Sequence, residues 1–183
     1  NLIIGILGVG YLGSFVGKQL QKQGYNVVGF KNSKPKIKYP FSVFYKKNDL
    51  KKFLKQSDVV ACILPTTPET HHIINKKFLQ EMKKKALLIN VGRGSTLCEK
   101  ELINHLKKNK YFFASLDVFE IEPLEKISPL WKIPNVTITP HIASITVMDT
   151  AVEYMYTKYC EYKKNQSNNR LKIQLHKFLL VFY

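Results

Sequence analysis

The chain has 183 residues, of which 45% are hydrophobic, a size and composition typical of one well-packed domain. Its formal charge of +16 is compatible with nucleic acid or a membrane surface, but the lysines are scattered and no nucleic-acid-binding signature accompanies them, so neither partner is expected. The longest apolar run, FLLVFY, is far too short to cross a bilayer, and no signal segment opens the chain, so the sequence predicts a soluble protein.

The odd number of cysteines indicates reduced thiols and a cytoplasmic protein. Cys62, Cys98 and Cys160 lack CxxC or metal-ligand spacing, so we expect buried small apolar side chains and no metal site. Four of the five histidines have no supporting motif and are interpreted as structural: His71, His72, His105 and His176.

Apolar strand-like runs alternate with amphipathic stretches along the chain, a pattern typical of βαβ units and a parallel sheet. The pattern predicts strands at residues 2–8, 25–30, 41–45, 58–64, 86–91, 112–118 and 135–139. It predicts helices at residues 12–23, 49–56, 75–83, 99–109 and 145–163. The fold class expected is therefore α/β, a Rossmann-type doubly wound parallel sheet.

Three of these helices carry apolar residues that we expect to face the core. In the helix at residues 99–109 they are Leu102, Ile103 and Leu106. In the first helix they form a stripe that consists of Leu12, Phe15, Val16 and Leu20. In the last helix it consists of Met148, Ala151, Val152, Met155 and Tyr159. No linker interrupts residues 1–163, which are predicted to form one dinucleotide-binding domain, and residues 164–183 are predicted to be a C-terminal tail, either a strand or loose chain.

GVGYLG at residues 8–13 matches GxGxxG between a predicted strand and a predicted helix. Gly8 would make the tight turn, Gly10 would let the backbone approach a pyrophosphate, and Gly13 would let the helix pack close to the strand. Together with Tyr11 and Leu12 these residues form the predicted phosphate-binding turn. The alternative is a purely structural glycine turn.

The residues at the end of the second predicted strand indicate which cofactor is bound. An NAD site normally has an acidic residue there for the ribose 2′-hydroxyl, but no acidic residue lies between Gly13 and Asp49. The sequence instead continues into KNSKPKIK, and the candidate residues are Lys31, Asn32, Ser33 and Lys34. A serine donor and lysines that neutralise a further phosphate favour NADP, while NAD remains open because lysine is abundant throughout the chain.

Four further motifs end predicted strands: LPTTPET at 64–70, NVGRGS at 90–95, LDVFEIEPL at 116–124 and ITPHIASIT at 138–146. With SPLW at 128–131 and GVGYLG, they resemble the cofactor domain of the D-isomer-specific 2-hydroxyacid dehydrogenases, and within that family the glyoxylate/hydroxypyruvate reductases. The resemblance covers residues 2 to about 163. It implies reduction of a small 2-keto acid, such as glyoxylate or hydroxypyruvate, to the 2-hydroxy acid.

The resemblance also implies roles for single residues. Arg93 would bind the substrate's carboxylate and carbonyl, His141 would exchange the proton, and Glu122 would support His141. The residues implied to line the cofactor groove are Leu64, Pro65, Pro68 and Thr70. Those implied around the nicotinamide are Val91, Gly92, Asp117, His141 and Ala143.

The chemistry independently explains these residue types. Of the 29 basic residues only Arg93 and Arg170 are arginines, and a planar guanidinium orients a carboxylate with paired hydrogen bonds that a lysine cannot reproduce. A histidine is the natural proton donor near neutral pH, and a carboxylate partner such as Glu122 would favour its protonated form and fix its ring.

Two departures from the family pattern limit the prediction. The family has a second, substrate-binding domain, and the segment expected before the cofactor domain is missing, so we interpret the chain as a fragment or a processed chain. The stretch after residue 163 also does not match the expected ending. The alternative function is therefore a non-catalytic dinucleotide-binding module or truncated remnant. The resemblance suggests a homodimer, with helix faces near residues 12–23 and 145–163 as candidate contacts.

Overall fold

The computed structural model describes residues 2–35, 37–144 and 148–164, with the backbone alone for residues 148–151 and 164. The strands are β1 Ile3–Leu7, β2 Asn26–Phe30, β3 Ser42–Phe44, β4 Val59–Cys62, β5 Leu87–Asn90, β6 Phe113–Leu116 and β7 Val136–Ile138. The helices are α1 Tyr11–Lys22, α2 Leu50–Gln56, α3 Lys76–Glu81, α4 Glu99–Lys108 and α5 Met148–Lys164. Every predicted strand and helix is present. Three short 3₁₀ turns, at Lys47–Asp49, Gly94–Thr96 and Pro129–Lys132, were not predicted.

The seven strands form one parallel sheet in the order β3-β2-β1-β4-β5-β6-β7. The chain builds outward from β1 to β3, returns to place β4 on the other side of β1, and continues to β7. The strand order therefore reverses between β1 and β4, the point at which open α/β sheets bind ligands beyond the strand ends. The expected doubly wound Rossmann-type fold is confirmed.

Alternate residues of the central strand pack into separate apolar clusters. Leu7 joins a cluster with buried side chains of α2, α3 and α4, among them Phe53, Leu79 and Leu102. Ile6 joins a smaller cluster that contains Phe41 and the partly buried residues of α1. Because side chains alternate across a strand, the helices must cover both faces of the sheet.

Helix α1 packs through two buried glycines and through Val16 and Leu20, so only half of the predicted apolar face meets the core. Leu12 and Phe15 are 53% and 58% exposed, whereas Gly13 and Gly17 are buried. A Cβ at Gly13 would lie 2.1 Å from the Gly8 carbonyl oxygen, and one at Gly17 would lie 2.6 Å from the Phe41 ring. The glycine face of the helix approaches the sheet most closely, and Leu12 and Phe15 are left exposed.

The chain divides into two compact units, residues 1–143 and 144–183. Helix α5 belongs to the second unit, and its stripe residues Val152, Met155 and Tyr159 are each more than half exposed. The expectation that this stripe faces a core is therefore wrong for these three residues, since apolar periodicity does not specify what the stripe meets. The side chains of Met148 and Ala151 lie outside the described residues. Among the described residues, no helix is both long and apolar enough to cross a bilayer. The predicted tail lies outside the described residues beyond residue 164.

The three cysteines are free thiols in different surroundings. Cys62 is fully buried in the core, as expected, and burial raises the pKa of its thiol. Cys98 and Cys160 are only partly buried, so the expectation of buried side chains is wrong for both. Both lie on helices, Cys98 at the start of α4 and Cys160 within α5.

Candidate active site

The glycine turn leaves β1 at its carboxyl end. Gly8 has a φ of +107°, a conformation that favours glycine, and its N–H donates to the Phe30 carbonyl oxygen at 2.9 Å. The N–H of Val9 donates to the same oxygen at 3.3 Å. The turn is therefore attached to the end of β2, where the cofactor-selective residues are predicted to lie.

The geometry of this turn fits a bound pyrophosphate. Gly10 is the N-cap of α1, and a Cβ built on it would meet nothing within 4 Å. Tyr11 and Leu12 are exposed beside it. A helix N-terminus presents unpaired N–H groups and a partial positive charge, so the open space at Gly10 can accept an anion.

The loop after β2 presents its polar residues to solvent. Lys31 is half-buried, and its N–H donates to the Phe44 carbonyl oxygen at 3.0 Å, which holds the loop against β3. Asn32, Ser33 and Lys34 are exposed. These side chains can reach a ligand that lies along the sheet edge.

The LPTTPET loop follows β4 and borders the glycine turn. A Cβ at Gly8 would lie 3.1 Å from Leu64 Cδ2, so the two loops are in close contact. Pro65 and Pro68 are exposed. Thr70 is 4% exposed, and its hydroxyl donates to the Pro65 carbonyl oxygen at 2.7 Å, so Thr70 shapes the loop from within.

Hydrogen bonds from side chains to backbone carbonyl groups fix the loop that carries Arg93. Thr96 Oγ1 donates to the Arg93 carbonyl oxygen at 2.7 Å, and Asn90 Nδ2 donates to it at 3.3 Å. Arg93 Nη1 donates to the Gly92 carbonyl oxygen at 2.9 Å, which restricts the guanidinium. Val91 is partly buried, and its N–H donates to the Cys62 carbonyl oxygen at 3.2 Å. Arg93 therefore projects from a rigid turn at the end of β5.

The Arg93 loop contacts the loop after β6. Gly94 is buried, and a Cβ there would lie 1.7 Å from the Phe119 carbonyl oxygen. The N–H of Phe119 in turn donates to Glu122 Oε1 at 2.9 Å. Only a residue without a side chain allows these two backbones to approach so closely, so Gly94 brings the arginine loop beside the glutamate loop.

His141 and Glu122 form a direct pair. His141 Nδ1 lies 2.7 Å from Glu122 Oε2, and both side chains are partly exposed, at 49% and 37%. His141 has a φ of +55°, which is uncommon outside glycine, and its N–H donates to the Asp117 carbonyl oxygen at 2.9 Å. Because Nδ1 is engaged by the carboxylate, Nε2 is the ring nitrogen left to face a substrate.

Asp117 is buried and holds the histidine loop in place. Its carboxylate accepts hydrogen bonds from Thr139 Oγ1 and, at 2.9 Å each, from the N–H groups of Ile142 and Ala143. Burial acts to raise the pKa of Asp117, but these hydrogen bonds and the nearby His141 outweigh it, so the pKa lies below its ordinary value. The residue expected near the nicotinamide thus positions His141 and the exposed Ala143.

Several supporting residues were not predicted from the sequence. Asn90 is fully buried, and Thr96 and Thr139 bind a loop backbone and a carboxylate respectively. Asn90 had a detectable signal, because a polar residue at the end of an otherwise apolar strand needs a partner. The hydroxyl groups of Thr96 and Thr139 had none, since threonine is common in strands and turns.

The histidines interpreted as structural have different surroundings. His105 packs edge-on against Phe112, and burial lowers its pKa. His71 stacks on His72, and His72 Nε2 lies 3.0 Å from Glu120 Oε1. His176 lies outside the described residues.

Comparison with known proteins identifies the family. Residues 1–143 match the model of the D-isomer specific 2-hydroxyacid dehydrogenase, NAD binding domain. Glyoxylate/hydroxypyruvate reductase A from Photorhabdus laumondii is 37% identical over 153 residues, which cover 84% of this chain and 49% of that protein.

Solved structures agree with this result. A D-isomer specific 2-hydroxyacid dehydrogenase from Xanthobacter autotrophicus, in complex with NADPH and MES, is 39% identical, with a TM-score of 0.75 over 80% of this chain and 46% of its own. The NADPH-dependent glyoxylate/hydroxypyruvate reductase from Sinorhizobium meliloti, in complex with NADP and sulfate, is 29% identical, with a TM-score of 0.80 over 90% of this chain and 53% of its own. The chain spans about half the length of these relatives. It belongs to the D-isomer-specific 2-hydroxyacid dehydrogenase family.

Proposed function

We propose that the protein reduces a small 2-keto acid to the 2-hydroxy acid with NADPH, and that its substrate is glyoxylate or hydroxypyruvate. The observation that carries the proposal is the His141–Glu122 pair, formed at the edge of the sheet where the arginine loop and the glycine turn also lie. The relatives from Photorhabdus and Sinorhizobium, which are named for these substrates, support it.

The cofactor would lie along the carboxyl ends of β1, β2 and β4. The open space at Gly10 and the N-terminus of α1 would receive the pyrophosphate. Ser33 and Lys34 would bind the 2′-phosphate, and the lack of an acidic residue between Gly13 and Asp49 removes the repulsion that such a phosphate would meet. When bound, the reduced nicotinamide supplies the hydride for the carbonyl carbon.

Arg93 would bind and orient the keto acid. Its Nη1 donates to the Gly92 carbonyl oxygen, so the guanidinium is restricted in the directions that it can face. A guanidinium fixed in this way can hold a carboxylate by paired hydrogen bonds and present the carbonyl in one orientation. This is the role for which lysine would be a poor substitute.

His141 would supply the proton to the carbonyl oxygen. Nδ1 is paired with Glu122, so the proton would leave from Nε2. Glu122 fixes the orientation of the ring, while Asp117 holds the backbone on either side. The pair is thus a positioned acid in the reductive direction and a positioned base in the reverse.

A specific observation also favours a second candidate function. The chain corresponds to about half of its relatives and includes their cofactor domain, whereas a keto-acid site needs a second wall that excludes water. In that case the 183 residues would bind the dinucleotide without turnover, as a binding module.

A measurement of turnover distinguishes the reductase from the binding module. The chain and a longer version with a substrate-binding domain upstream should both bind NADPH, measured by nicotinamide fluorescence. Oxidation of NADPH with glyoxylate or hydroxypyruvate should appear in at least the longer version and be abolished by His141→Gln, which retains NADPH binding. NADPH binding with no turnover in both versions would overturn the reductase proposal in favour of the binding module.

The remaining expectations concern assembly, location and domain extent. We propose a homodimer, supported by exposed apolar residues such as Tyr11 and Phe15 on α1 and Tyr156 on α5, and sedimentation measures its mass. A cytoplasmic location is supported by three unpaired thiols. We also propose that the cofactor domain ends near residue 163, and the boundaries of the fragments from limited proteolysis would test this.

A further inference from the structure

Three side chains of different chemistry, none of them part of the His141–Glu122 pair, meet in the loops that follow β4, β5 and β6. They are His72, Cys98 and Glu120, and one ligand atom from each lies within 4.8 Å of the other two. His72 follows β4, Cys98 follows β5, and Glu120 follows β6. The cluster therefore joins three loops at the carboxyl edge of the sheet.

The backbone holds His72 in an unusual conformation. Its φ is +48°, which is uncommon for a residue other than glycine, and its N–H donates to the Ser95 carbonyl oxygen at 2.9 Å. The imidazole is thereby aimed at Glu120, with Nε2 3.0 Å from Oε1. Strained backbone conformations are found mainly at functional sites. A surface ion pair contributes little to stability, so the His72–Glu120 pair does not by itself explain why His72 adopts this conformation.

The other two residues are also held in place. Cys98 is the N-cap of α4, yet its side chain makes no capping hydrogen bond, although serine, threonine, asparagine or aspartate would be favoured there. The N–H of Cys98 donates to the Ile74 carbonyl oxygen at 3.0 Å, which fixes its backbone. Glu120 is held by Glu99, because each donates its N–H to the other's carboxylate, at 2.7 and 3.0 Å.

We propose that His72, Cys98 and Glu120 form a binding site for a transition-metal cation of the Zn²⁺ class. Imidazole nitrogen, thiolate sulfur and carboxylate oxygen are the three ligand types of protein zinc sites, and three such ligands leave a fourth position for water. Ligand atoms around tetrahedral zinc are separated by roughly 3.3 to 3.8 Å, so a small contraction of this cluster would suffice. A sulfur and a nitrogen ligand select against Mg²⁺ and Ca²⁺.

Carboxylates and lysines both lie around the cluster, in a chain of net charge +16. Lys76, Lys100 and Lys108 line the same depression as Cys98, so binding would depend on the three ligand atoms and not on the local field. Glu99 and Glu101 lie near Cys98 at the start of α4, and Glu120 adds a third carboxylate. Cys98 lines one surface depression, and Glu120 lines a neighbouring one, so an ion can reach the cluster from solvent. The bound ion would tie together the loops that carry Thr70, Arg93 and Glu122.

The site is tested on the full chain with Zn²⁺ itself. Isothermal titration should show one equivalent that depends on Cys98, thermal unfolding should shift to higher temperature with Zn²⁺, and Mg²⁺ should produce neither effect. Co²⁺ as a substitute should give a thiolate-to-metal charge-transfer band in the near ultraviolet, which reports the sulfur ligand directly.

The variants are chosen to preserve the fold. Cys98→Ser places a favoured N-cap at the start of α4, and His72→Asn keeps a residue that tolerates positive φ. Each should weaken Zn²⁺ binding on the order of tenfold or more, and Cys98→Ser should remove the Co²⁺ band. The matched controls His71→Asn and Cys160→Ser should leave the Zn²⁺ affinity and the Co²⁺ band unchanged.

Several results would overturn the site. These are Zn²⁺ affinity retained in Cys98→Ser and His72→Asn, a Co²⁺ spectrum without sulfur ligation, or equal losses in the two control variants. The measurements do not depend on catalysis, so they stand or fall separately from the reductase proposal.

Discussion

The geometry around position 93 suits an arginine better than a lysine, although lysine supplies nearly all the other basic residues of the chain. The Arg93 carbonyl oxygen accepts two side-chain hydrogen bonds, and its guanidinium donates to Gly92. A turn fixed to this degree makes the direction of the remaining donors a property of the fold. At this position planar shape therefore contributes more than charge, which lysine would preserve.

Arg93→Lys should remove most reductase activity in the form of the protein that turns over. The loss of oriented paired donors should cost on the order of 2 to 4 kcal/mol of transition-state stabilisation. Steady-state kcat/KM measures the loss, and an unchanged thermal unfolding temperature shows that the fold is intact. Turnover close to that of the unsubstituted protein would refute the geometric argument.

Asp117 should make stability depend on acid pH. Its pKa is lowered in the folded state, below about 3.9 for an unfolded chain, so its stabilising contribution is complete above that value and is lost as the pH falls through the folded pKa. Asp117→Asn should lower the free energy of unfolding at pH 7 by on the order of 2 kcal/mol, and the difference should shrink toward pH 3. Urea unfolding at several pH values measures it.

Asp58 provides the comparison for this prediction. A hydrogen bond from Lys83, with one from the N–H of Ile3, lowers the pKa of Asp58 before the start of β4. Asp58→Asn should show the same direction of pH dependence without a loss of turnover, because it does not hold the His141 loop. An Asp117→Asn effect of equal size at pH 3 and pH 7 would contradict the assigned cause.

At the level of elements, the close approach of α1 to β1 determines the shape of the glycine turn. Gly13 is required because a side chain would collide with the Gly8 carbonyl oxygen, whereas Gly10 faces open space. The two glycines therefore serve different purposes in one motif. Gly13 serves folding, and Gly10 serves the ligand that we propose.

Substitutions at these glycines should separate folding from binding. Gly10→Ser supplies a good N-cap, so stability should change by less than about 0.5 kcal/mol, while NADPH affinity should fall about tenfold, or about 1.4 kcal/mol. Gly13→Ala should lower stability by about 1 to 3 kcal/mol because backbone must move. Urea unfolding and fluorescence titration provide the readouts. Full NADPH affinity in Gly10→Ser would place the pyrophosphate elsewhere.

For the whole molecule, the charge of +16 acts over the entire surface, whereas cofactor choice depends on one loop. A general basic field attracts every anionic dinucleotide and is screened by salt. Selection of NADPH over NADH requires the additional phosphate to meet local cations, and Lys31 and Lys34 lie in the loop that begins where β2 ends.

The chain should bind NADPH more tightly than NADH, and added salt should narrow the difference. Fluorescence titration of both cofactors at low and high ionic strength measures it. Lys34→Gln should reduce the preference for NADPH over NADH. Lys107→Gln on α4 should leave the ratio of the two affinities unchanged. Equal affinities for the two cofactors at low salt would contradict the assignment of this loop.

The fold could be predicted closely because its signals are local. The strand runs at 58–64 and 86–91 are continuously apolar, as strands covered on both faces must be, and β4 and β5 lie within them. The outward directions of Leu12, Phe15 and Met155 could not be predicted. An apolar stripe shows that a surface can be buried, but the elements that meet it depend on packing far along the chain.

The sequence alone determined the element order, the glycine turn and the family, because each depends on short runs of residues or on motifs in a fixed order. The contacts between atoms depend on the three-dimensional fold: His141 Nδ1 with Glu122, Gly94 against Phe119, and His72 beside Cys98. The physical reason is that parallel strands bring their ends to one edge, so distances between loops are set by strand register and close backbone packing rather than by separation along the chain.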